Sequence, residues 1–226
     1  MEETIVISLG GSLIIPENLD INFLKDFKAL ILSQVAKGKK FVIITGGGKV
    51  CRKYQDVAKE LSNPSAEDLD WVGIAALRLN AQLMRVVFRE HTHAKIVKNL
   101  AENLELDMPI VIGSAYEPGH STDYDATTAA KNIGAKKVIN LSNTDYVYDS
   151  DPKINPDAKK IENISWAEYR KLIPAEWNPG LNSPFDPIAS KMAEEEGMEV
   201  VIMNGKPIDN LANYLNGESF QGTVIK

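Results

Sequence analysis

Two glycine clusters in this chain each follow directly on a short apolar run. Gly10-Gly11-Ser12 comes after Ile5 to Leu9, and Gly46-Gly47-Gly48-Lys49 comes after Phe41 to Thr45. Glycine permits positive φ and close backbone approach, so successive N–H groups can converge on a phosphate, and a helix starting just beyond adds its positive dipole end. One such turn is equally well explained as a tight connection with no ligand. Two of them fit a protein that moves a phosphoryl group from one phosphorylated molecule to another. Neither cluster has the spacing G-x-G-x-x-G, and no G-x-x-x-x-G-K-[ST] is present, so neither the dinucleotide fingerprint nor the Walker P-loop applies.

Other side chains could join that chemistry. Arg52 lies four residues past Gly48, where a guanidinium on the following helix could fork onto a phosphate, although on the residues alone Lys49, Lys53 and Asp56 favour a solvated charged face. Ser121-Thr122-Asp123 reads as a helix start, with hydroxyls and free N–H groups at its mouth. Asp123 and Asp186 are the carboxylates best suited to orient Mg²⁺, its waters or a phosphate-binding lysine, since hard cations prefer oxygen; as plain capping residues they would need no ligand. Ser142 and Asn143 lie just past a strand, where open α/β sheets place ligands. His91 and His93 suit a helix end better than a metal site. Cys51, Trp71 and Trp177 read as packing residues, and Glu194 to Glu196 as a solvated helix end.

These groups need a scaffold, and the chain supplies one by alternating short β-branched runs with longer stretches of helical period. Strands are expected at Thr4 to Leu9, Lys40 to Thr45, Ala94 to Val97, Ile110 to Gly113, Lys137 to Leu141 and Glu199 to Met203. Helices are expected at Asp20 to Ala36, Val50 to Leu61, Leu69 to Glu90, Asp123 to Gly134, Pro187 to Gly197 and Pro207 to Leu215. In the first helix Asp20 is the expected cap and Gly38 the stop. Tyr148 to Pro156 and Pro174 to Pro187 are the irregular segments and read as functional loops or lids. The fold class expected is therefore α/β, a three-layer α/β/α sandwich around a mostly parallel sheet, formed as one domain over residues 1–226.

Composition bounds the partners. The chain has 226 residues, 44% of them hydrophobic and 25% charged, ordinary for a globular protein. Its net charge of −6 argues against general binding to nucleic acid or an anionic membrane. With Cys51 the only cysteine, no intrachain disulfide forms. The acidic start and the lack of a long apolar run carry no targeting or membrane signal, so a cytoplasmic location is expected.

Six segments together resemble the amino acid kinase family, and within it the UMP kinases of the archaeal type. They are ISLGGSLIIPENLD (7–20), GGGKVCRKY (46–54), DWVGIAALRLNA (70–81), PGHSTDYDA (118–126), NLSNTDYVYDSDP (140–152) and PFDPIASK (184–191), which together span nearly the whole chain. The resemblance implies transfer of the γ-phosphoryl group of ATP to UMP, with Mg²⁺. It implies an acceptor-binding N-terminal part, an ATP-binding part from about residue 135, and a homohexamer. On the acceptor side it points to Gly47, Asp70 for the ribose hydroxyls, Gly119, His120, Ser121 and Thr122. For ATP it points to Gly10, Gly11, Ser12, Gly48, Arg52, Ser142, Asn143, Tyr148 and Asp151. Catalysis would fall to Asp123, Asp186, Lys191 and Arg52; Mg²⁺ would be held through the phosphates, with no direct protein ligand assigned and Asp123 the nearest candidate.

Two departures stand out. Many members carry a lysine in the first strand where this chain has Ser8, which leaves Lys191 or Lys49 as candidate cations. Tyr146 stands where the family usually has glycine. The alternatives are a kinase for another small acceptor, such as carbamate, acetylglutamate or isopentenyl phosphate, and a catalytically silent nucleotide-binding protein.

Overall fold

Five parallel strands carry the molecule, and their order decides where a ligand can sit. In the computed structural model, which describes residues 3–102, 104–176 and 183–226, these are β1 (Thr4–Leu9), β2 (Lys40–Thr45), β3 (Ile110–Gly113), β4 (Lys137–Ser142) and β8 (Glu199–Asn204). Two short strands, β7 (Asn163–Ile164) and β9 (Thr223–Ile225), extend the sheet to the order β3-β2-β1-β4-β8-β9-β7, in which only β8 and β9 run antiparallel. From β1 the chain goes outward on one side to β2 and β3, then returns to place β4 on the other side. The crevice between the carboxyl ends of β1 and β4 is thus the switch point at which such sheets bind ligands.

Strand period 2 splits the core into two layers. Ile5, Ile7 and Leu9 of β1 face one cluster with α2 (Ile21–Val35), α4 (Ala66–Val87) and α8 (Ile208–Asn216); Val6 faces the other with α5 (Thr122–Asn132), α6 (Trp166–Leu172) and α7 (Pro187–Glu195). Strands buried on both faces read as unbroken apolar runs. α1 (Gly11–Ile14) is a single turn, and α3 (Gly48–Leu61) packs against α1 and α4. Asp20 caps α2 by accepting the Phe23 N–H at 3.0 Å, and Gly38 follows the helix at φ 88°, as expected.

Some expectations change. Ala94 to Val97 is not a strand: bridges form only at Thr92 and Val97 against β3, and the backbone bends between them at the sheet edge. α4 begins earlier than expected because Ser65 and Asp68 form a reciprocal capping box. Tyr148 to Pro156 opens with part of a hairpin, β5 (Val147–Tyr148) on β6 (Lys160–Ile161). Trp177 lies outside the described residues.

Candidate active site

The two glycine turns lie against each other, backbone on backbone. A Cβ on Gly11 would stand 2.1 Å from the Gly48 nitrogen, and one on Gly48 would stand 2.5 Å from the Gly11 carbonyl oxygen, with Gly48 at φ 67°. No side chain fits at either position, so the glycines are required by mutual contact as well as by turn geometry. Gly10 N donates to Leu141 O at 2.7 Å and Gly46 N donates to Leu9 O at 2.9 Å, tying both turns to the strand ends. In the first turns that follow, Leu13 N donates to Gly10 O at 2.9 Å and Lys49 N to Ile15 O at 3.4 Å.

Beside these turns stands a buried polar cluster that the two-residue strand repeat creates. Ser8 and Asn140 are register partners on β1 and β4, and both face α5 where the rest of the stripe is apolar. Asp123, in the first turn of α5, accepts from Ser8 Oγ at 3.0 Å and from Asn140 Nδ2 at 2.9 Å through Oδ1. Its Oδ2 accepts from the Asp186 N–H at 3.3 Å. Burial pushes the Asp123 carboxyl up to about 7 against the pull of the Ser8 hydrogen bond, with the Asp186 charge adding to the rise. Asp186 itself caps α7, accepting the Ile188 and Ala189 N–H groups at 2.6 and 2.8 Å, and its Oδ2 is buried without a partner. Asp123 is thus a junction between β1, β4, α5 and α7 rather than an open carboxylate.

On one side of the junction a cavity of about 130 Å³ is lined by Asp70, Ile74, Leu77, His120, Ser121 and Thr122. Asp70 Oδ2 accepts from the Gly119 N–H at 3.0 Å, and Ser121 caps α5 through the Asp123 and Tyr124 N–H groups. On the other side a cavity of about 280 Å³ is lined by Tyr146, Tyr148, Asp151, Tyr169, Ile173 and Pro184. Two compartments therefore adjoin the Asp123 junction, one bounded by the first half of the chain and the start of α5, the other by the second half.

Residues 3–204 match the model of the amino acid kinase family. This chain belongs to the amino acid kinase family. It is 34% identical to a uridylate kinase of Methanobrevibacter smithii over 98% of both chains. The crystal structure of uridylate kinase from Archaeoglobus fulgidus, 32% identical, superposes with a TM-score of 0.83 over the whole of both chains. UMP kinase from Ureaplasma parvum, at 20% identity and a TM-score of 0.77, shares the fold.

Within this amino acid kinase the expected site residues fall into three groups. Gly10, Gly11, Ser12, Gly47, Gly48, Asp70, Gly119 to Asp123 and Asp186 gather at the switch point and the smaller cavity. Tyr148 and Asp151 line the larger cavity, while Ser142 holds the turn between them by accepting the Thr144 N–H at 3.2 Å, with Asn143 exposed beside it. Lys191 is not brought in: it lies 64% exposed on α7, 3.9 Å from Glu195, while Ala189, Ser190 and Ala193 face inward. Of the remaining cations, Lys49 pairs with Glu17, and Arg52 on α3 is exposed with no ion pair among the described residues. His93 pairs with Asp107 at 2.8 Å.

Two functional supports had a readable signal that spacing rules passed over. Asn80 is 2% exposed on the apolar stripe of α4 and donates to Gly46 O at 2.8 Å, holding the triple-glycine turn from behind. Arg78 donates to Ala115 O and Tyr116 O, each at 3.2 Å, and so anchors the loop that leads to Gly119. A polar residue on a buried helical stripe needs a partner, and Asn80 on the apolar stripe of α4 was that signal.

Proposed function

We propose that this chain is a UMP kinase, transferring the γ-phosphoryl group of ATP to UMP to give UDP and ADP. The observation that carries the proposal is the pair of mutually packed glycine turns at the β1/β4 switch point, next to the Asp123 junction that two separate compartments adjoin. Phosphoryl transfer asks a protein mainly to hold donor and acceptor in line and to stabilise spread negative charge. UMP occupies the smaller cavity, with its ribose at Asp70 and its phosphate at the turn from Gly47 and at the Ser121–Thr122 helix start. ATP lies across Gly10, Gly11, Ser12 and Gly48, with its base in the cavity of Tyr148 and Asp151. The acceptor phosphate is already ionised at neutral pH, so no general base is required.

Magnesium enters with the donor as Mg·ATP. Among the described residues no three His, Cys, Asp or Glu side chains converge to hold an ion, and both Asp123 oxygens already accept hydrogen bonds. The junction around Asp123 positions the β1 turn, the β4 end and the α5 start relative to one another. Positive charge at the transferring group comes from Arg52 and Lys49, on the first turns of α3. The protein works on soluble nucleotides in the cytoplasm as a homohexamer.

A coupled assay of ADP release from Mg·ATP tests the acceptor, run across UMP, CMP, dTMP, AMP, carbamate and isopentenyl phosphate. Turnover with UMP well above the others is expected. Turnover highest with carbamate or isopentenyl phosphate would assign the smaller cavity to another acceptor. Calorimetric binding of UMP without turnover on any acceptor would favour the silent reading, in which Ser8 and the outward Lys191 mark lost chemistry.

A further inference from the structure

His120 and Asp125 form a pair that the phosphoryl-transfer chemistry does not use. His120 Nε2 lies 3.2 Å from Asp125 Oδ1, and the His120 ring packs on Tyr124 with centroids 4.5 Å apart. Asp125 sits on the buried face of α5 at 5% exposure, and its Oδ2 is buried with no partner. A buried carboxylate is costly unless it is paired, and His120 is the partner the fold provides. His120 also lines the acceptor cavity, in the loop whose Gly119 N–H meets Asp70 and whose Ser121 caps α5. This short loop is therefore fastened at three successive residues, to α4, to the body of α5 and to its N-terminus, and only the middle fastening can change charge near neutral pH.

We propose that the His120–Asp125 pair is the positioning element of the acceptor loop: in its charged form it pins Gly119 to Ser121 on α5, and loss of its proton loosens the loop and weakens acceptor binding. This rests on the smaller cavity being the acceptor site. The groups facing the pair are Tyr124 and Asp123 on α5, Glu117 on the loop and Asp186 at the start of α7, with Asp70 of α4 lining the same cavity. Burial pulls the imidazolium down, but the hydrogen bond and charge of Asp125, with Glu117 and Asp186 adding, leave His120 raised above its ordinary value. Burial pushes Asp125 up as well, opposed by its bond to His120. The sign follows: a histidine raised in the fold holds its contact below the ordinary value of about 6.5 and loses it as pH rises through the raised one. On the acid side the contact weakens when Asp125 takes up its proton.

Two readouts test this on the full chain. NMR titration of His120 should place it above its ordinary value, and Asp125→Asn should bring it down, since the carboxylate charge is removed while a side-chain hydrogen bond is kept. UMP saturation from pH 6 to 9 should then show KM rising about ten-fold through the His120 titration, with kcat within about two-fold, and the rise should move to lower pH in Asp125→Asn. His120→Gln should flatten the upper limb, leaving the ionisations of the UMP phosphate near pH 6 and of Asp123 at about 7, which all variants share. An unshifted His120 titration in Asp125→Asn, or an identical KM profile in wild type and variant, overturns the proposal. If no UMP turnover occurs at all, the NMR arm still decides whether the pair exists, and UMP binding by calorimetry at pH 6.5 and 8.5 replaces KM.

Discussion

Asp123→Asn isolates the charge at the centre of the site. The carboxyl is largely withdrawn from water, and burial with the neighbouring Asp186 charge raises it from 3.8 to about 7. In the unfolded chain the same group ionises near its ordinary value, so between these limits unfolding releases a proton and folding stability falls as pH rises. At about 1.4 kcal/mol per pH unit the full loss is about 4 kcal/mol, reached near pH 7 and constant above it. An asparagine cannot ionise and carries no such loss. It carries a fixed cost instead, because one of its two ends must present an N–H to the Asp186 N–H or to Ser8 and Asn140, about 1–3 kcal/mol. The assay is urea unfolding of the nucleotide-free protein at half-unit steps from pH 4.5 to 8.5, for wild type and variant. Wild type should lose several kcal/mol relative to the variant across that range. A gap between the two that is the same at pH 5 and pH 8 refutes the reasoning, since it would mean that Asp123 ionises in the fold as easily as in water.

Three further substitutions probe the rest of the site. Gly48→Ala places a methyl 2.5 Å from the Gly11 carbonyl oxygen at φ 67°, and should destabilise by at least about 2 kcal/mol in thermal unfolding and lower kcat more than about 100-fold by displacing both turns. Arg52→Ala removes an exposed side chain, so Tm should stay within a few degrees while kcat falls by about 10² to 10³ in steady-state assays, with Arg52→Lys recovering part. Lys191→Ala should leave kcat and KM within about two-fold and stability within about 0.5 kcal/mol, because that side chain faces solvent beside Glu195.

What the sequence disclosed depended on whether a signal was local. Asp20 and Gly38 bracket α2 by chemistry that lies within a few residues, and the five parallel strands are apolar on both faces, so both were readable. The segment from Ala94 to Val97 has strand composition but lies at the sheet edge, where a bend leaves only its ends bridged to β3; composition does not report position in a sheet. The two-residue strands β5, β6 and β7 and the three-residue β9 are set by partners up to 61 residues away and carry too little pattern to find. In the site, the glycine turns and the Ser121–Asp123 helix start were legible because their residue types are constrained by local backbone. The Ser8–Asn140–Asp123–Asp186 junction was not, since it exists only through the β1/β4 register and the packing of α5 on α7. Lys191 shows the converse: a motif position fixes the residue type but not the face of the helix it takes, and here Ala189, Ser190 and Ala193 claim the inner face.

The central claim is that one phosphoryl group crosses between the two compartments at the glycine turns. ATP labelled with ³²P in its γ-phosphate, mixed with unlabelled UMP, Mg²⁺ and enzyme in a rapid-quench experiment, follows that group directly. The account predicts label in the β-phosphate of UDP, appearing at the rate at which labelled ATP disappears, and near-background transfer in Arg52→Ala. Label released only as inorganic phosphate, or no loss of labelled ATP while UMP is bound, would contradict it.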